Sequence, residues 1–402
     1  MIRHILIVIF LGISFECTCQ IATEKIVIGS TDSLYSAILN EGRKIFVYVP
    51  YKAPIYNQVN YPVVYLLDGE SHFNSVVGMI QYLSEVFDNT VCPKMIIVGI
   101  INTDRTRDLT PTTLLSSYYG SFPSSGGSER FSSFIEKELI PYIDAHYPTA
   151  PYRMLIGHSF GGLFTVTTLV RHPGLFNAYV AIDPSLWWDN QLILKEANAK
   201  LGIRNSLAGK LLYLAVANTV GPGASPGQTI KDTSGISTHM RGNLIFGNYL
   251  STTSPSGLHS SWKYYGDDNH GTVPLLAEYD ALHFLFDYYQ LPKENLELMT
   301  AEIFEKHYKN ISEKLGYRMT PPEGLINNQG YIWLQRKIYD KAYAYFKLNV
   351  ESYPTSFNVY DSIADYYIAT GDTEKAIESL EKELSIKDKP EVRTRLGKLK
   401  NK

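Results

Sequence analysis

Short runs of nearly uninterrupted apolar residues alternate with amphipathic segments over residues 24–292. The apolar runs are, in chain order, RKIFVYVP, YPVVYLLDG, KMIIVGI, RMLIG, AYVAIDP, KLLYLAVAN and SWKYY. Segments with helical spacing lie between several of them, such as SERFSSFIEKELIPYIDAHY and VPLLAEYDALHFLFDYY. Apolar strands separated by helices are typical of a mostly parallel sheet that helices cover on both faces. The pattern therefore predicts an α/β domain over residues 24–292.

The hydrophobic pattern changes after residue 300, where charged amphipathic helices follow one another and a set of positions repeats. The spacing of small, aromatic, alanine and large residues is typical of tetratricopeptide repeats, which are stacked helix pairs. Two such units are fewer than the three that usually stand alone. We therefore expect residues 300–402 to dock on the α/β domain, on a protein partner or on a second copy, or to be capped by the helix around AEIFEKHYKN. The matched positions, 34 residues apart, are Gly330 and Ala364, Trp333 and Tyr367, Ala342 and Ala376, and Phe346 and Leu380.

The first 19 residues have the pattern of a secretory signal peptide. Basic Arg3 precedes an apolar run over residues 5–15, and small residues lead to a cleavage point after Cys19. Lipid attachment at Cys17 is disfavoured because the charged Glu16 precedes it. The segment predicts export to a bacterial periplasm or secretion, with no stable membrane insertion after cleavage. Cys92 then remains as a lone cysteine, which excludes an intramolecular disulfide and predicts a buried small apolar side chain.

Composition narrows the possible partners. The chain has 402 residues and a formal net charge of −3, which argues against nucleic acid or an anionic membrane surface as the main partner. Tyrosine is abundant at 30 residues, which favours an aromatic-lined site and equally favours ordinary packing between strands.

The segment RMLIGHSFGGLFTV carries the strongest chemical signal. It contains the pattern Gly-x-Ser-x-Gly, with Ser159 between a buried strand and a helix that ends near Pro173. In such a turn the serine is exposed at the end of the sheet, and the glycines let neighbouring backbones approach closely. The pattern predicts Ser159 as a nucleophile, and its alternative is a glycine-rich turn with a solvated serine.

A serine hydroxyl needs a base within hydrogen-bond reach, and in this architecture the base follows it in the chain. His270 is the candidate, because it lies in the polar loop GDDNHGTVP between a strand and a helix. A loop at the carboxyl end of a strand can reach the serine turn. The other downstream histidines lie elsewhere in the pattern and are weaker candidates: His172, His239, His259, His283 and His307.

Four segments, GHSFGG, DPSLWWDN, NTDRTRDLTP and HGTVPLLAEYDALHFLF, resemble the esterase D-like family of α/β-hydrolases, close to periplasmic ferric-siderophore esterases. The resemblance covers roughly residues 24–292. It implies an α/β-hydrolase fold and a serine-esterase mechanism with no metal and no organic cofactor. By motif, Ser159 is the nucleophile and His270 the base. The resemblance also implies an oxyanion hole made by the N–H of Phe160 and an N–H of Gly69 or Glu70 in LLDGES.

The acid of the expected triad is the point where the sequence departs from the family pattern. It should follow LYLAVAN, but the first carboxylate after Asn218 is Asp232, inside the Gly-, Pro- and Ser-rich stretch NTVGPGASPGQTIKDTSGIS, which predicts a long loop. Asp232 is the first candidate, with a local turn or helix cap as its alternative. Asp267 and Asp268 are further candidates, and a Ser–His dyad without an acid stays open.

Two arginines after the strand KMIIVGI are candidates for binding substrate. Arg105 and Arg107 could hold a carboxylate or catecholate with two hydrogen bonds each. The alternative is that Arg107 pairs with Asp104 or Asp108 and fixes the shape of the loop.

Trp187 and Trp188 follow another strand end. They are candidates for the wall of an acyl or aromatic pocket. We expect one of the two to be buried in packing.

Taken together, the residues and the resemblance predict an exported serine esterase acting on a small-molecule ester. A siderophore ester is the favoured substrate, and it rests on the resemblance alone. One alternative is a carbohydrate acetyl or feruloyl esterase, because the same serine turn serves both. Another is a non-catalytic hydrolase-like scaffold that binds through its helical tail, which the intact Ser159 and His270 argue against.

Overall fold

The computed structural model describes residues 25–50, 60–86, 90–202, 207–253, 255, 257–291 and 299–401. The signal peptide predicted over residues 1–19 lies outside these ranges. Within them, no helix has the length and apolar character that crossing a membrane requires. Cys92 is buried, and burial raises the pKa of its thiol to about 12. The thiol therefore stays protonated and packs as a small apolar side chain.

The strands of the described residues form one large sheet and one small hairpin. The strands are β1 (Ser30–Ser36), β2 (Glu41–Tyr48), β3 (Tyr61–Leu66), β4 (Ile96–Ile100), β5 (Leu114–Ser117), β6 (Gly120–Phe122), β7 (Thr149–His158), β8 (Ala178–Ile182), β9 (Lys210–Ala217) and β10 (Leu258–Tyr265). The large sheet has the order β1-β2-β4-β3-β7-β8-β9-β10. The β1–β2 and β2–β4 pairs are antiparallel, and every other pair in it is parallel. The mostly parallel sheet predicted from the apolar runs is thus confirmed.

Helices cover both faces of the sheet and continue beyond it. They are α1 (Gly69–Ser84), α2 (Arg105–Leu109), α3 (Ser128–Phe134), α4 (Ile140–His146), α5 (Phe160–Arg171), α6 (Trp188–Lys200), α7 (Pro226–Lys231), α8 (Thr238–Thr253), α9 (Val273–Leu285), α10 (Ala301–Leu315), α11 (Glu323–Gln335), α12 (Tyr339–Ser352), α13 (Phe357–Thr370), α14 (Thr373–Ile386) and α15 (Pro390–Lys400). A π-helical turn over Ile135–Leu139 joins α3 to α4.

Each strand of the sheet centre contributes to two apolar cores because successive side chains point to opposite faces. In β3, Val63 and Tyr65 belong to the core that is covered by α3, α4, α5, α6 and α8. Val64 and Leu66 belong to the core on the other face, which is covered by α1 and α9. Burial on both faces explains why these strands are continuously apolar rather than alternating.

The tail consists of helix pairs, and the repeated small positions allow the helices to approach closely. A Cβ added to Gly330 in α11 would lie 2.6 Å from the ring of Phe346 in α12. In the second pair, Ala364 and Leu380 are buried together with Val392 of α15. The C-terminal region is therefore helical, as the sequence pattern predicts.

The helix α10 joins the tail to the sheet. Its residue Phe304 is fully buried in the same apolar core as β3 and α9. His307 Nε2 lies 3.2 Å from the carbonyl oxygen of Tyr289, and the hydroxyl of Tyr345 in α12 donates to the carbonyl of Met299 at 2.6 Å. The tail therefore packs on the α/β region through α10, which is the docking that the sequence led us to expect.

Two features near the carboxyl ends of the strands differ from the sequence-based prediction. The stretch predicted as one long loop contains the short helix α7, which begins with Pro226 after the N-cap Ser225. The hairpin of β5 and β6, with Tyr118 and Tyr119 at its turn, was not predicted. Both segments lie beside the serine turn, as the cleft described below shows.

Candidate active site

Ser159 occupies a strained turn between β7 and α5. Its backbone has φ 59° and ψ −114°, a conformation that non-glycine residues rarely adopt. The flanking glycines make the turn possible, because a Cβ on Gly157 would lie 2.3 Å from the carbonyl oxygen of Gly161. A Cβ on Gly162 would lie 2.9 Å from Cα of Pro184. The turn therefore has the geometry of a nucleophile elbow.

The elbow is fixed to the end of the neighbouring strand β8. The N–H of Ser159 donates to the carbonyl of Ile182, and the N–H of Ser185 donates to the carbonyl of Ser159, both at 3.0 Å. The hydroxyl oxygens of Ser159 and Ser185 lie 3.5 Å apart. These contacts hold the serine at the carboxyl edge of the sheet.

Two helix N-termini meet at this edge. Phe160 is the first residue of α5, and Gly69 and Glu70 are the first residues of α1. N–H groups in the first turn of a helix have no partner within the helix and carry partial positive charge. The turn before α1 lies close to α5, since a Cβ on Gly161 would be 3.4 Å from Cβ of Leu67. The first turn of α5 and the turn before α1 therefore lie next to each other.

His270 is hydrogen-bonded to a carboxylate that the sequence analysis did not consider. Its Nδ1 donates to Oδ2 of Asp183 at 2.6 Å. Asp183 follows β8 directly and its side chain is fully buried, whereas that of His270 is partly exposed. Burial opposes ionisation of Asp183, but the charge and hydrogen bond of His239 and the hydrogen bond of His270 outweigh it. The pKa of Asp183 therefore lies well below its usual value, and the carboxylate is ionised at neutral pH.

The three carboxylates proposed as the acid are not the ones that contact the base. Asp232, at the end of α7, accepts hydrogen bonds from the backbone N–H and the hydroxyl of Ser234, both at 2.8 Å, which is a local Asx turn. Asp268 accepts a hydrogen bond from the hydroxyl of Thr272 at 3.0 Å. Neither these two nor Asp267 lies within hydrogen-bond distance of His270 among the described residues. The expectation that Asp232 orients His270 is therefore corrected, and the contacting carboxylate is Asp183.

A signal for Asp183 was present in the sequence. The run AYVAIDP ends in an aspartate directly after a strand, and that strand is the neighbour of the one leading to Ser159. Carboxyl ends of parallel strands meet at one edge, which brings Asp183 to the elbow. The family pattern directed the search to the loop after β9 instead, one strand further along the sheet.

The two arginines proposed to bind substrate are in ion pairs with the protein's own carboxylates. Arg105 holds Asp68 with two hydrogen bonds, Nε to Oδ1 at 2.6 Å and Nη2 to Oδ2 at 2.9 Å. Its Nη2 also donates to the carbonyl of His158 at 3.2 Å. Arg105 therefore ties the turn before α1 to the elbow, and its guanidinium is already occupied.

Arg107 is engaged on the far side of the same short helix. It donates two hydrogen bonds to Glu41, at 3.0 and 2.6 Å, and one to Asp108 at 2.7 Å. The hydrogen bonds to Glu41 and Asp108 raise the pKa of its guanidinium further above its usual range. These contacts favour the alternative in which Arg107 holds the shape of the loop.

A cleft of about 450 Å³ opens beside the elbow and is walled mainly by aromatic rings. Trp187 lines the cleft and stacks against Tyr119 with ring centroids 4.2 Å apart. Trp188 does not line the cleft and is almost fully buried, and its indole N–H donates to the hydroxyl of Thr112 at 3.1 Å. The expected division between one lining and one packed tryptophan is thus observed. The lining residues are Tyr118, Tyr119, Phe122, Ser159, Phe160, Ser185, Trp187, Thr219, Ile236, His239 and His270.

A row of titratable side chains, the first two partly buried and the last buried, lies behind His270. The ring of His158 packs on that of His270 with centroids 4.4 Å apart, and the ring of His72 lies 5.8 Å from that of His158. Burial, followed by the charges of His270 and His72, lowers the pKa of His158 to about 3. Beyond His72, burial raises the pKa of Glu278 to about 8. His158 is therefore neutral at neutral pH and adds no positive charge beside the base.

One group of side chains has the composition of a metal site. Ligand-type atoms of Asp183, His239 and His270 lie within 4.8 Å of one another. Both imidazoles, however, already lie within hydrogen-bond distance of the same carboxylate oxygen, 2.9 Å for His239 and 2.6 Å for His270. Hydrogen bonds from the two imidazoles to the carboxylate are sufficient to hold these three side chains together.

The sheet order and the strand–Ser159–helix turn define an α/β-hydrolase fold. The Putative esterase family matches residues 36–211. An IroE-like serine hydrolase from Shewanella oneidensis is 31% identical, and the alignment covers 80% of this chain and 99% of that one, with a TM-score of 0.67. The chain belongs to the Putative esterase family, and these similarities support a carboxylic ester hydrolase.

Two further relatives mark the extent of the similarity. The ferri-bacillibactin esterase BesA of Bacillus subtilis is 32% identical over 172 residues, which are 40% of this chain and 60% of that protein. The chain thus spans 60% of the length of this curated relative. An uncharacterised protein from Capnocytophaga ochracea is 20% identical to this chain and has a TM-score of 0.60. The match covers 93% of this chain and 99% of that protein. This second likeness concerns the fold alone and extends to the helical tail.

Proposed function

We propose that the protein is an exported serine esterase with Ser159 as nucleophile, His270 as general base and Asp183 as the acid that orients the base. The observation that carries the proposal is the 2.6 Å hydrogen bond between Asp183 and Nδ1 of His270 in a site where His270 and Ser159 line one cleft. Because Nδ1 is bonded to the carboxylate, Nε2 is the nitrogen that remains to accept a proton.

The reaction proceeds in two steps. In the first, His270 Nε2 takes the proton of Ser159 as its oxygen attacks the ester carbonyl, and the resulting imidazolium gives that proton to the departing alcohol. In the second, His270 takes a proton from water, whose oxygen attacks the acyl-enzyme. The proton then returns to Ser159 as the acid leaves. Asp183 stays ionised throughout and stabilises the imidazolium.

The oxyanion is held by helix N-terminal N–H groups. Phe160 supplies one donor, and the first turn of α1, at Gly69 or Glu70, supplies the second. Removing one such donor in a serine hydrolase costs roughly 10²–10³ in kcat. Arg105 supports this role indirectly, because its hydrogen bonds join Asp68 to the backbone of the elbow.

The substrate class is an ester with a flat aromatic group. The cleft wall contains the rings of Tyr119, Phe122, Phe160 and Trp187, and the described lining includes no lysine or arginine. Aromatic rings prefer such surroundings, which offer offset and edge-on contacts. The relative BesA bears the name of a ferri-bacillibactin esterase, and a relative from Aspergillus fumigatus that of a siderophore triacetylfusarinine C esterase. Aromatic siderophore esters meet the same requirement. Feruloyl esters of carbohydrates also meet it and are the second candidate.

Export is part of the proposal. The basic residue, apolar run and small residues at positions 1–19 support a signal peptide that delivers the enzyme to a periplasm or the medium. Mass spectrometry of the mature protein from the native host tests this, with an N-terminus at residue 20 as the expected result and a retained Met1 as the contrary one.

The activity is tested with a hydrolysis panel that uses the full mature chain. The panel contains nitrophenyl acetate, a feruloyl ester, and a tri-catecholate siderophore ester in iron-free and ferric forms. We expect the aromatic acyl esters to give the highest kcat/KM. Because the described cleft lining lacks lysine and arginine, the iron-free siderophore should react faster than its anionic ferric complex.

The matched control is Ser159→Ala, which removes one oxygen from the elbow and leaves packing nearly unchanged. It should lower kcat by about 10⁶. A folded wild-type protein that hydrolyses none of the esters, or a Ser159→Ala variant that keeps more than a few percent of the activity, would contradict the proposal. The first result would favour the non-catalytic scaffold.

A further inference from the structure

The carboxylate that holds His270 is itself held by an unusually complete set of donors. Oδ1 of Asp183 accepts hydrogen bonds from the N–H of Ala217 at 3.0 Å and from the side-chain amide of Asn243 at 2.9 Å. Oδ2 accepts from His270 Nδ1 at 2.6 Å and from His239 Nε2 at 2.9 Å. Two imidazoles therefore share one carboxylate oxygen, and a serine triad requires just one of them.

Helix α8 brings two of these donors to the carboxylate. His239 and Asn243 are four residues apart and thus lie on the same face of the helix, one turn from each other. Both side chains are buried, and each contacts a different oxygen of Asp183. The helix face therefore fixes the plane of the carboxylate as well as its position.

The ring of His239 is positioned as precisely as that of the base. Its centroid lies 5.0 Å from that of His270, with the two rings nearly perpendicular at 86°. His239 also lines the substrate cleft. Other titratable groups near this pair are His158, whose ring packs on His270, and Tyr119, which lines the same cleft as His239. Arg241 lies two residues beyond His239 in α8, and its charge acts on Tyr119.

We propose that His239 is a positioning residue of the esterase site, which acts by donating a second N–H to the oxygen of Asp183 that orients His270. This inference rests on the proposed function, because it assigns His239 a part in the same reaction. By its place in the sequence pattern His239 is a weaker candidate for the base, and the geometry gives it a different part.

The physical reason is that the carboxylate of Asp183 is fully removed from water. An ionised carboxylate removed from water needs its lone pairs satisfied, and an unsatisfied one either takes up a proton or turns away. Without His239, Oδ2 would keep His270 as its one side-chain donor among the described residues. The donors on Oδ1, Ala217 and Asn243, would then alone set the angle at which the carboxylate meets that imidazole. The second imidazole thus holds Asp183 aimed at Nδ1 of His270.

The same contact affects how strongly His270 holds a proton. A second donor withdraws negative charge from the shared oxygen, which weakens the attraction of Asp183 for the imidazolium of His270. Loss of His239 should therefore move the acid limb of the pH profile of kcat/KM to higher pH. A purely structural side chain would not move this limb.

The test compares His239→Leu with His239→Gln in the full mature chain. Glutamine can place an amide N–H near the position of Nε2, whereas leucine has no donor. We expect His239→Leu to lower kcat by about 10- to 100-fold with little change in KM, as for other residues that orient an active-site group. His239→Gln should recover most of kcat. The matched control His307→Leu, which changes a half-buried histidine in the tail, should leave kcat and the pH profile unchanged.

A readout that does not need turnover separates this inference from the proposed function. Imidazole N–H protons that are bonded to a carboxylate give sharp downfield NMR signals. The Ser159→Ala variant should show two, of which one disappears on adding His239→Leu and both are lost or shifted on adding Asp183→Asn. If the wild type hydrolyses no ester while both signals are present, the proposed function fails and the shared-oxygen geometry stands.

Three results would overturn the inference about His239. One is an active, folded His239→Leu enzyme with unchanged kcat and pH profile. Another is an equal loss in the leucine and glutamine variants without a shift of the acid limb. The third is wild-type activity that is abolished by a chelator and restored by zinc, because Asp183, His239 and His270 would then be metal ligands.

Discussion

Nδ1 of His270 lies 2.6 Å from Oδ2 of Asp183, a carboxylate that stands 87 residues earlier in the chain. The two residues follow strands that β9 separates in the sheet, Asp183 after β8 and His270 after β10. The family pattern predicts the acid after β9. The bond places it instead after β8, which is the strand next to the one that leads to the elbow. It also removes the need for any carboxylate from the long loop that contains α7.

The first prediction concerns the acid. Asp183→Asn should lower kcat by roughly 10²–10⁴ with little change in KM, because an amide cannot stabilise the imidazolium and favours the wrong tautomer of His270. The measurement is steady-state kinetics on the best ester of the panel. The matched control is Asp232→Asn, which changes an aspartate in the Asx turn and should behave like the wild type. A large loss in Asp232→Asn together with a normal Asp183→Asn would refute the assignment of the acid.

The second prediction concerns Arg105. Arg105→Lys keeps the charge but cannot make both hydrogen bonds to Asp68, and we expect kcat to fall by about 10-fold on neutral and anionic esters alike. The physical reason is a loosened turn before α1, which supplies one oxyanion donor. Nitrophenyl acetate and a nitrophenyl hemisuccinate are the substrates to compare. A loss confined to the anionic ester, seen as a raised KM, would mean that Arg105 binds substrate after all.

Arg107→Lys is the control for this experiment. Arg107 is held by Glu41 and Asp108 away from the elbow. The substitution should lower thermal stability slightly and leave the kinetics of both esters unchanged.

The third prediction concerns the buried carboxyl of Glu278 in α9. Its side chain is almost fully buried, Oε1 lies 3.7 Å from Nδ1 of His72, and burial raises its pKa to about 8. The unfolded chain releases this proton near pH 4.5, the ordinary value. Below pH 4.5 both states are protonated. Between pH 4.5 and 8 the folded state alone keeps the proton, so its stability falls as the pH rises, and above pH 8 the loss is complete.

Glutamine at position 278 keeps the shape and has no proton to lose. The stability of Glu278→Gln relative to the wild type should therefore increase between pH 4.5 and 8, by up to a few kcal/mol at about 1.4 kcal/mol per pKa unit. Thermal unfolding from pH 5 to 9 measures this difference. The control Glu302→Gln, at an exposed position, should differ from the wild type in stability by an amount that does not change with pH. If the stability difference between Glu278→Gln and the wild type is also independent of pH, the prediction for Glu278 is wrong.

The fourth prediction concerns the tail. A chain that ends at residue 291 loses α10 and exposes the apolar surface that Phe304 and its neighbours cover, whereas a chain that ends at residue 320 keeps α10. Each large apolar side chain that is uncovered costs about 1.5–3 kcal/mol. We expect the shorter chain to be poorly soluble or to unfold at a much lower temperature than the longer one. Both should hydrolyse a small ester, because every proposed catalytic group precedes residue 292.

Circular dichroism and kinetics on the same preparations check this prediction. If the chain that ends at residue 320 is soluble and well folded but inactive, the helix pairs beyond α10 help to build the active site. That outcome would contradict the assignment of catalysis to the α/β region alone.

The parts that the sequence predicts well are those with a local cause. The run RMLIGHSFGG predicts a strand, a tight turn and a helix, because the glycines and the apolar residues act within a few positions of Ser159. His270 is likewise marked by its own loop between a strand and a helix. The spacing of Gly330 and Ala364 predicts close helix pairs, because each needs a small side chain at a crossing.

The parts that it misses depend on contacts between distant segments. Asp183 becomes the partner of His270 only when β8 lies beside β7 and the loop after β10 folds over both. Arg105 is polar and near a strand end, which is the pattern of a binding residue. Its bond to Asp68 is set by the packing of α2 against the turn before α1. The contact between α8 and Asp183 also joins segments that are far apart in the sequence, so no local pattern predicts it.

The most direct test of the account is the site of covalent labelling by a fluorophosphonate, which reacts with an activated serine in place of an ester. Intact mass and peptide mapping should show one label per wild-type chain, located on Ser159, and Ser159→Ala should show none. Asp183→Asn should be labelled much more slowly than the wild type, while Asp232→Asn and Ser185→Ala should still carry the label on Ser159. A folded wild-type protein that takes up no label, or a label on Ser185 or any other serine, would contradict the account.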